Sequence, residues 1–201
     1  MIERKEYSAG AVKMSFWFME FRKVVGLLAS GKSFDEVKKM NREENLFAAS
    51  TVARGNQIYS TVSGRVKMLD KSFYPVFLAS DLATQKLFAL VAAMAYDTLF
   101  FDFVYEVIRE KMIIGSNQLA DSDIRIFFKN KQQQNKKVAG WTDATLIRLG
   151  RCYKTMLYEA GMIDKAKGNR TILKPILDAK MRYWLENNNM VAFLHALVGV
   201  R

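Results

Sequence analysis

The chain has 201 residues, half of them hydrophobic and only 2 of them proline, which excludes a disordered protein and a loop-rich all-β domain. Its formal net charge of +11 attracts polyanions, so nucleic acid, an anionic membrane and an acidic protein are the candidate ligands. The single cysteine, Cys152, excludes an intramolecular disulfide and is typical of a reducing compartment, so we expect a soluble cytoplasmic protein.

Three helices are predicted in the first third of the chain. The first runs from Met14 to Leu28 and carries apolar residues along one face. Ser33 and Glu36 have the spacing of a capping box, which predicts that a second helix begins there. The third helix is expected from Ser50 or the next residue to Leu69.

The third predicted helix has a polar face opposite its apolar one. Its apolar residues, Val52 among them, are expected to point inward, and polar side chains recur at helical spacing on the other side. This face could be an ordinary solvated surface, but the high net charge favours a nucleic-acid contact. The predicted binding residues of this face are Arg54, Gln57, Thr61 and Arg65, with Lys67 beyond them.

The central part of the chain is its most apolar part. Asp81 is expected to cap a fourth helix, and a fifth is expected from Asp97, or the residue after it, to about Met112. The longest uninterrupted apolar run, Leu87 to Tyr96, is about half of the roughly 20 residues that a bilayer requires. Asp97 and Asp102 would each cost several kcal/mol at the membrane centre. We therefore predict a pair of buried core helices and no membrane insertion.

Basic residues are concentrated towards the C-terminal end. Residues 121–201 contain 15 basic and 7 acidic side chains, whereas residues 1–120 contain 16 and 13. We predict an all-α protein with an N-terminal helical bundle, residues 1–118, and a basic part, residues 119–201, packed against it. One continuous domain is the alternative.

The order of elements in the basic part resembles that of a winged helix. A sixth helix begins at Asp121, and a seventh runs from Thr142 to Ala160. A short β-hairpin then joins Met162 and Ile163 to the segment ending at Leu173. A last helical stretch follows. In a winged helix the second helix of the pair enters the major groove of DNA.

A second set of candidate DNA-binding residues lies on this winged-helix-like part. The seventh helix presents polar side chains opposite its apolar face, two lysines precede it, and the hairpin tip is basic. A solvated charged face is again the alternative. The predicted binding residues are Lys136, Lys137, Thr145, Arg148, Arg151, Lys154, Lys165, Lys167 and Arg170.

No catalytic signature is present in the sequence. It contains no glycine-rich phosphate loop, no nucleophile elbow and no pair of histidines or cysteines at metal-binding spacing. His195 is the only histidine, and it is far from Cys152 in the chain. Asp97 and Asp102 are five residues apart and do not share a helix face, so they are not a convincing acid–base pair. We predict no enzymatic activity, no catalytic residue, no metal and no cofactor.

Several segments, taken in order, resemble a known family. They are YSAG, FRKVVGLLASGKSFDEV, ENLF before STVARGNQIYSTVSGRV, VIREKM, and GWTDATLIRLGRCYKTMLYEAGMID. They resemble BrxA, the small NusB-like component of bacteriophage exclusion (BREX) defence systems, and the resemblance runs over most of the chain, from about Tyr7 to Leu185. None of them is a catalytic signature, so the resemblance depends on their order and spacing.

The resemblance implies an all-helical, NusB-like fold, association with double-stranded DNA, and a role in phage defence. In such systems a DNA methyltransferase, an ATPase and a phosphatase-like protein supply the enzymatic activities and are the expected protein partners. We therefore expect a non-enzymatic DNA-binding accessory protein of a bacterial BREX system. The alternatives are a NusB-like RNA-binding protein and an adaptor that docks other defence proteins.

Overall fold

The computed structural model describes residues 4–200, which form eleven helices and a small antiparallel sheet. The predicted all-α class is confirmed. The first helices are α1 (Phe18–Ala29), α2 (Phe34–Glu44), α3 (Val52–Val66), α4 (Phe73–Ala79), α5 (Leu82–Tyr96) and α6 (Thr98–Ile113). The others are α7 (Asp121–Gln134), α8 (Lys136–Ala139), α9 (Asp143–Glu159), α10 (Ala179–Asn187) and α11 (Val191–Val198). A 3₁₀ turn spans Gly10–Lys13, and the middle of α6, Val104–Arg109, is a π-helix.

The predicted helix starts at polar residues are confirmed, because each cap acts through a local hydrogen bond. Ser33 Oγ accepts from the Glu36 amide at 3.2 Å, and the Glu36 carboxylate accepts from the Ser33 amide at 2.8 Å. Asp97 accepts from two amides at the start of α6, and Thr142 Oγ1 accepts from the Thr145 amide.

The first helix begins later than the sequence predicted. Trp17 has a positive φ of 52° and is the N-cap of α1, so the chain from Met14 to Trp17 is not helical. Trp17 is nonetheless buried in the core, which shows that tertiary packing holds the left-handed backbone. Two details of α3 also differ: the helix ends at Val66, and Val52 is 71% exposed.

Two aromatic clusters connect distant parts of the chain. In the first, Phe73 of α4 packs against Phe88 of α5 and Trp184 of α10, with ring centroids 5.8 and 6.0 Å apart. In the second, Tyr153 of α9 packs against Phe100 of α6, with centroids 4.7 Å apart. Buried residues on both sides of the predicted boundary at 118 therefore contact one another, and the division at that boundary remains a prediction.

The apolar helices α5 and α6 meet at a sharp bend. Within residues 4–200, no single helix is long and apolar enough to cross a membrane. The pair reaches such a length and composition only together, and the angle between the two helices is 115°.

The C-terminal part contains the predicted helix pair followed by a hairpin. Ile163 pairs with Ile172 in an antiparallel bridge, which joins the two sides of the hairpin. A strand that the sequence did not predict, β1 (Gln118–Leu119), pairs antiparallel with β2 (Arg170–Thr171). The sheet therefore links the segment before α7 to the hairpin after α9. We call α7 to α9 with this sheet the winged-helix unit.

Candidate nucleic-acid interface

The predicted binding face on α3 is largely inside the protein. Thr61 and Arg65 are 4% and 3% exposed, so the prediction that they form an exposed stripe is wrong. The Arg65 guanidinium donates to the backbone carbonyls of Ser15 and Phe16, at 2.9 and 2.6 Å. Arg65 thus holds the segment before α1 against α3, and it has no surface from which to contact a phosphate.

Burial dominates the electrostatics around Arg65. Desolvation lowers the pKa of Arg65 to about 10, and the Asp97 carboxylate opposes that change. Desolvation also raises the pKa of Asp97 to about 6, against the two backbone amides that donate to it. Burial and the neighbouring Asp97 carboxylate raise the pKa of Tyr153 well above its usual value. This group of buried polar residues lies where α3, the α5–α6 bend and α9 meet.

The other members of the predicted α3 face are also engaged in the fold. Arg54 lies 4.9 Å from the centre of the Trp17 ring, and its Nη1 donates to Gln57 Oε1 at 2.8 Å. Gln57 Nε2 donates in turn to the Lys13 carbonyl at 2.9 Å. Lys67 is exposed, with its ammonium 4.6 Å from the centre of the Phe34 ring.

The predicted basic residues of α9 have a different environment. Arg148 and Arg151 are both exposed, and no hydrogen bond or ion pair engages either guanidinium within residues 4–200. They lie on the same side of α9 as Ala144, Ile147 and Thr155, which are also exposed. The structure therefore presents these two arginines to solvent from the second helix of the winged-helix unit.

Two predicted binding residues instead pair with an aspartate at the start of α7. Lys154 and Arg170 both form ion pairs with Asp121, each at 2.9 Å. The hydrogen bond from Lys154 and the positive charges of both residues lower the pKa of Asp121. Arg170 is only 2% exposed and also donates to the Leu119 carbonyl at 3.3 Å, so its predicted contact with a DNA backbone is wrong.

The remaining predicted residues divide between the hairpin tip and the helix starts. Lys165 and Lys167 are exposed at the tip, with the Lys165 ammonium 4.0 Å from the Asp164 carboxylate. Lys136 is exposed at the start of α8, whereas Lys137 pairs with Glu6 at 2.8 Å. Thr145 belongs to the cap of α9 through its contact with Thr142.

Two basic residues that the sequence analysis missed lie across a groove from α9. Arg125 and Lys129 of α7 are exposed and line one wall of a groove of about 680 Å³, and Arg151 lines the other wall. Ile124 and Phe128 contribute to its apolar lining. The signal for these residues was their spacing of four on a helix.

A buried ionic cluster fixes α7 against α6. Asp102, which is 3% exposed, accepts two hydrogen bonds from Arg4 at 2.8 Å and one from the Tyr7 hydroxyl at 2.5 Å. Lys131 of α7 lies 3.4 Å from the same carboxylate and 2.6 Å from Glu106. Burial opposes the charge on Lys131, but the two carboxylates outweigh it and raise its pKa. The cluster orients the basic wall of the groove without lining it.

Comparison with known proteins identifies the family. The sequence pattern of the BrxA family matches residues 5–189. A BREX protein BrxA from Bacillus cereus is 38% identical over 178 residues, which cover 89% of each chain. The crystal structure of an uncharacterized protein from Magnetospirillum magneticum has the same fold, with a TM-score of 0.81 and 19% identity over 98% of this chain and 100% of that one. The chain therefore belongs to the BrxA family, whose name places it among the components of BREX phage defence.

Proposed function

We propose that this protein is a non-enzymatic accessory component of a bacterial BREX system and that it binds duplex DNA in the cytoplasm through its winged-helix unit. One observation carries the proposal: basic side chains are exposed on three elements of that unit. We call this set the basic face, and it consists of Arg125 and Lys129 on α7, Arg148 and Arg151 on α9, and Lys165 and Lys167 at the hairpin tip.

The arrangement suits a duplex because its three elements have separate tasks. In helix-turn-helix proteins the second helix enters the major groove while neighbouring elements contact the phosphates on either side. Here α9 would enter the major groove of the DNA, and α7 and the hairpin tip would contact the phosphates on either side. Membership of the BrxA family supports other BREX components as partners, for which we propose the methyltransferase, the ATPase and the phosphatase-like protein.

The test is a charge reversal on α9 with a matched control elsewhere. The double variant Arg148→Glu with Arg151→Glu should weaken duplex DNA binding about tenfold or more and reduce the slope of log Kd against log salt by about 2. The control, Arg22→Glu with Lys38→Glu, changes the net charge equally on exposed residues of α1 and α2. It should bind DNA nearly as tightly as the unaltered protein.

Fluorescence anisotropy with labelled duplex DNA at several salt concentrations measures both quantities. Equal losses in the two variants would show that net charge, not the basic face, governs binding. Competition by duplex RNA and single-stranded DNA distinguishes the NusB-like alternative, because A-form duplexes and single strands are recognised differently from B-DNA. An absence of duplex binding at low salt would overturn the proposal and favour the adaptor.

A further inference from the structure

One exposed side chain in the middle of the basic face is not basic. Ile147, the fifth residue of α9, is 54% exposed and lies on the same side of the helix as Arg148 and Arg151. Contacts to phosphates need charge or hydrogen-bond donors, and an isoleucine side chain offers neither. Its position near the start of the second helix is where helix-turn-helix proteins contact base edges.

We propose that Ile147 recognises thymine by packing against the C5-methyl group in the major groove. This inference rests on the proposed function and adds a base preference to it. The thymine methyl is the one apolar group on the major-groove edge of the bases, and apolar side chains are its usual contact. Arg148 and Arg151 lie within one helical turn of Ile147. Their contacts with the DNA backbone would therefore determine how deeply Ile147 enters the major groove.

The local structure fixes Ile147 for such a contact. A β-branched side chain within a helix has one strongly preferred χ1 angle, so its methyl groups are held in place before the ligand arrives. One side of Ile147 lines the groove shared with Ile124 and Phe128. Little side-chain entropy is therefore lost when a base edge packs against it.

The groove between α7 and α9 offers a competing explanation for the exposure of Ile147. Since Ile147 also lines the groove between α7 and α9, it could be part of a docking site for a protein segment. Its position among the arginines of α9 favours the nucleic acid. A protein-docking role predicts that DNA binding does not depend on the thymine methyl.

The test removes the methyl group from the ligand and the side chain from the protein, separately and together. The probes are a 30-base-pair alternating A–T duplex and the same duplex with deoxyuridine in place of thymidine. The unaltered protein should bind the thymine duplex about fourfold more tightly for each methyl group that it buries. Ile147→Ala should bind the two duplexes equally, because the contact is then absent from both.

A matched control separates this contact from effects of DNA shape. Ile126 is also a helical isoleucine, 58% exposed, but it does not line the groove. Ile126→Ala should retain the full preference for the thymine duplex, and Ile147→Val should retain part of it. Thermal unfolding checks that each variant folds.

The outcomes distinguish this inference from the proposed function. If the unaltered protein binds both duplexes equally, and Arg148→Glu with Arg151→Glu still weakens binding about tenfold or more, the DNA-binding proposal stands and the thymine contact is wrong. The contact is also wrong if Ile147→Ala keeps the preference, since the preference then arises from DNA shape. If neither duplex is bound, both proposals fail together.

Discussion

The helices α3 and α9 have similar sequence patterns but use their arginines in opposite ways. Each has an apolar face and, opposite it, polar residues at spacings of three and four. On α3 the guanidinium of Arg65 is inside the protein and bonded to backbone carbonyls. On α9 the guanidinium of Arg148 is in solvent. Helical spacing therefore places residues on a common face, but it does not determine whether another part of the chain covers that face.

The covering element differs between the two helices. The segment before α1 contacts the polar face of α3 through the carbonyls of Ser15 and Phe16, while α5 approaches so closely that a methyl group at Gly64 would lie 2.6 Å from the Tyr96 ring. Among residues 4–200, no ion pair or hydrogen bond from another element engages Arg148 or Arg151. The exposed face is therefore the one available to a ligand.

The sharpest test of this comparison replaces one arginine on each helix. Arg65→Ala should lower the free energy of unfolding by about 4 kcal/mol, because it leaves the buried Phe16 carbonyl and the part-buried Ser15 carbonyl without their donor and creates a cavity. Arg148→Ala should change the free energy of unfolding by less than about 0.5 kcal/mol. Urea denaturation of both variants measures the difference, and equal effects would contradict the contrast between the helices.

A second test uses the pH dependence of stability at the buried end of α3. Since burial raises the pKa of Asp97 from 3.8 to about 6, its contribution to stability is complete below pH 4 and is lost as the pH rises through 6. Asp97→Asn keeps a good helix cap without the charge. Between pH 4 and pH 7, its stability relative to the unaltered protein should therefore rise by about 3 kcal/mol.

Urea denaturation across this pH range supplies the measurement for Asp97→Asn. Asp81→Asn is a suitable control, because Asp81 also caps a helix but is exposed and has a lowered pKa. Both the unfolded-state pKa of Asp81, 3.8, and its lowered folded-state pKa lie below this range, so the stability of the control relative to the unaltered protein should stay nearly constant. A parallel change in both variants would show that the pH dependence does not come from burial of Asp97.

A third test concerns Arg54, whose effect on stability we expect to lie between those of Arg65 and Arg148. Arg54→Ala removes a contact with the Trp17 ring and a hydrogen bond to Gln57, so we expect a loss of about 1 kcal/mol in stability. Its DNA affinity should fall far less than that of Arg148→Glu with Arg151→Glu. A comparable loss of affinity would show that α3 belongs to the DNA-binding surface.

Local signals predicted the fold better than the site. Ser33, Asp97 and Thr142 identified helix starts because a cap forms bonds within a few residues. The left-handed backbone of Trp17 and the pairing of Gln118 with Thr171 depend on distant contacts, which no local pattern encodes.

The candidate site was predicted only in part, because local patterns do not encode distant contacts. Exposure of Arg148 and Arg151 followed correctly from the apolar spacing of α9. The burial of Arg65 and Arg170 did not follow, because their partners are Phe16 and Asp121, about 50 residues away along the chain. The sequence alone does not distinguish an arginine that bonds such distant groups from an exposed arginine that can contact a phosphate.

The close approach of α7 and α9 has a consequence for how any duplex would be accommodated. A methyl group at Gly150 would lie 2.9 Å from Cγ2 of Ile124, so the Ile124 side chain of α7 packs directly against the backbone of α9. Such a joint leaves little room for either helix to pivot on the other. If the protein cannot adjust the distance between the cations on α7 and those on α9, the duplex must change its own shape to fit them. Stiff DNA sequences would then be bound less tightly than sequences that bend or twist easily.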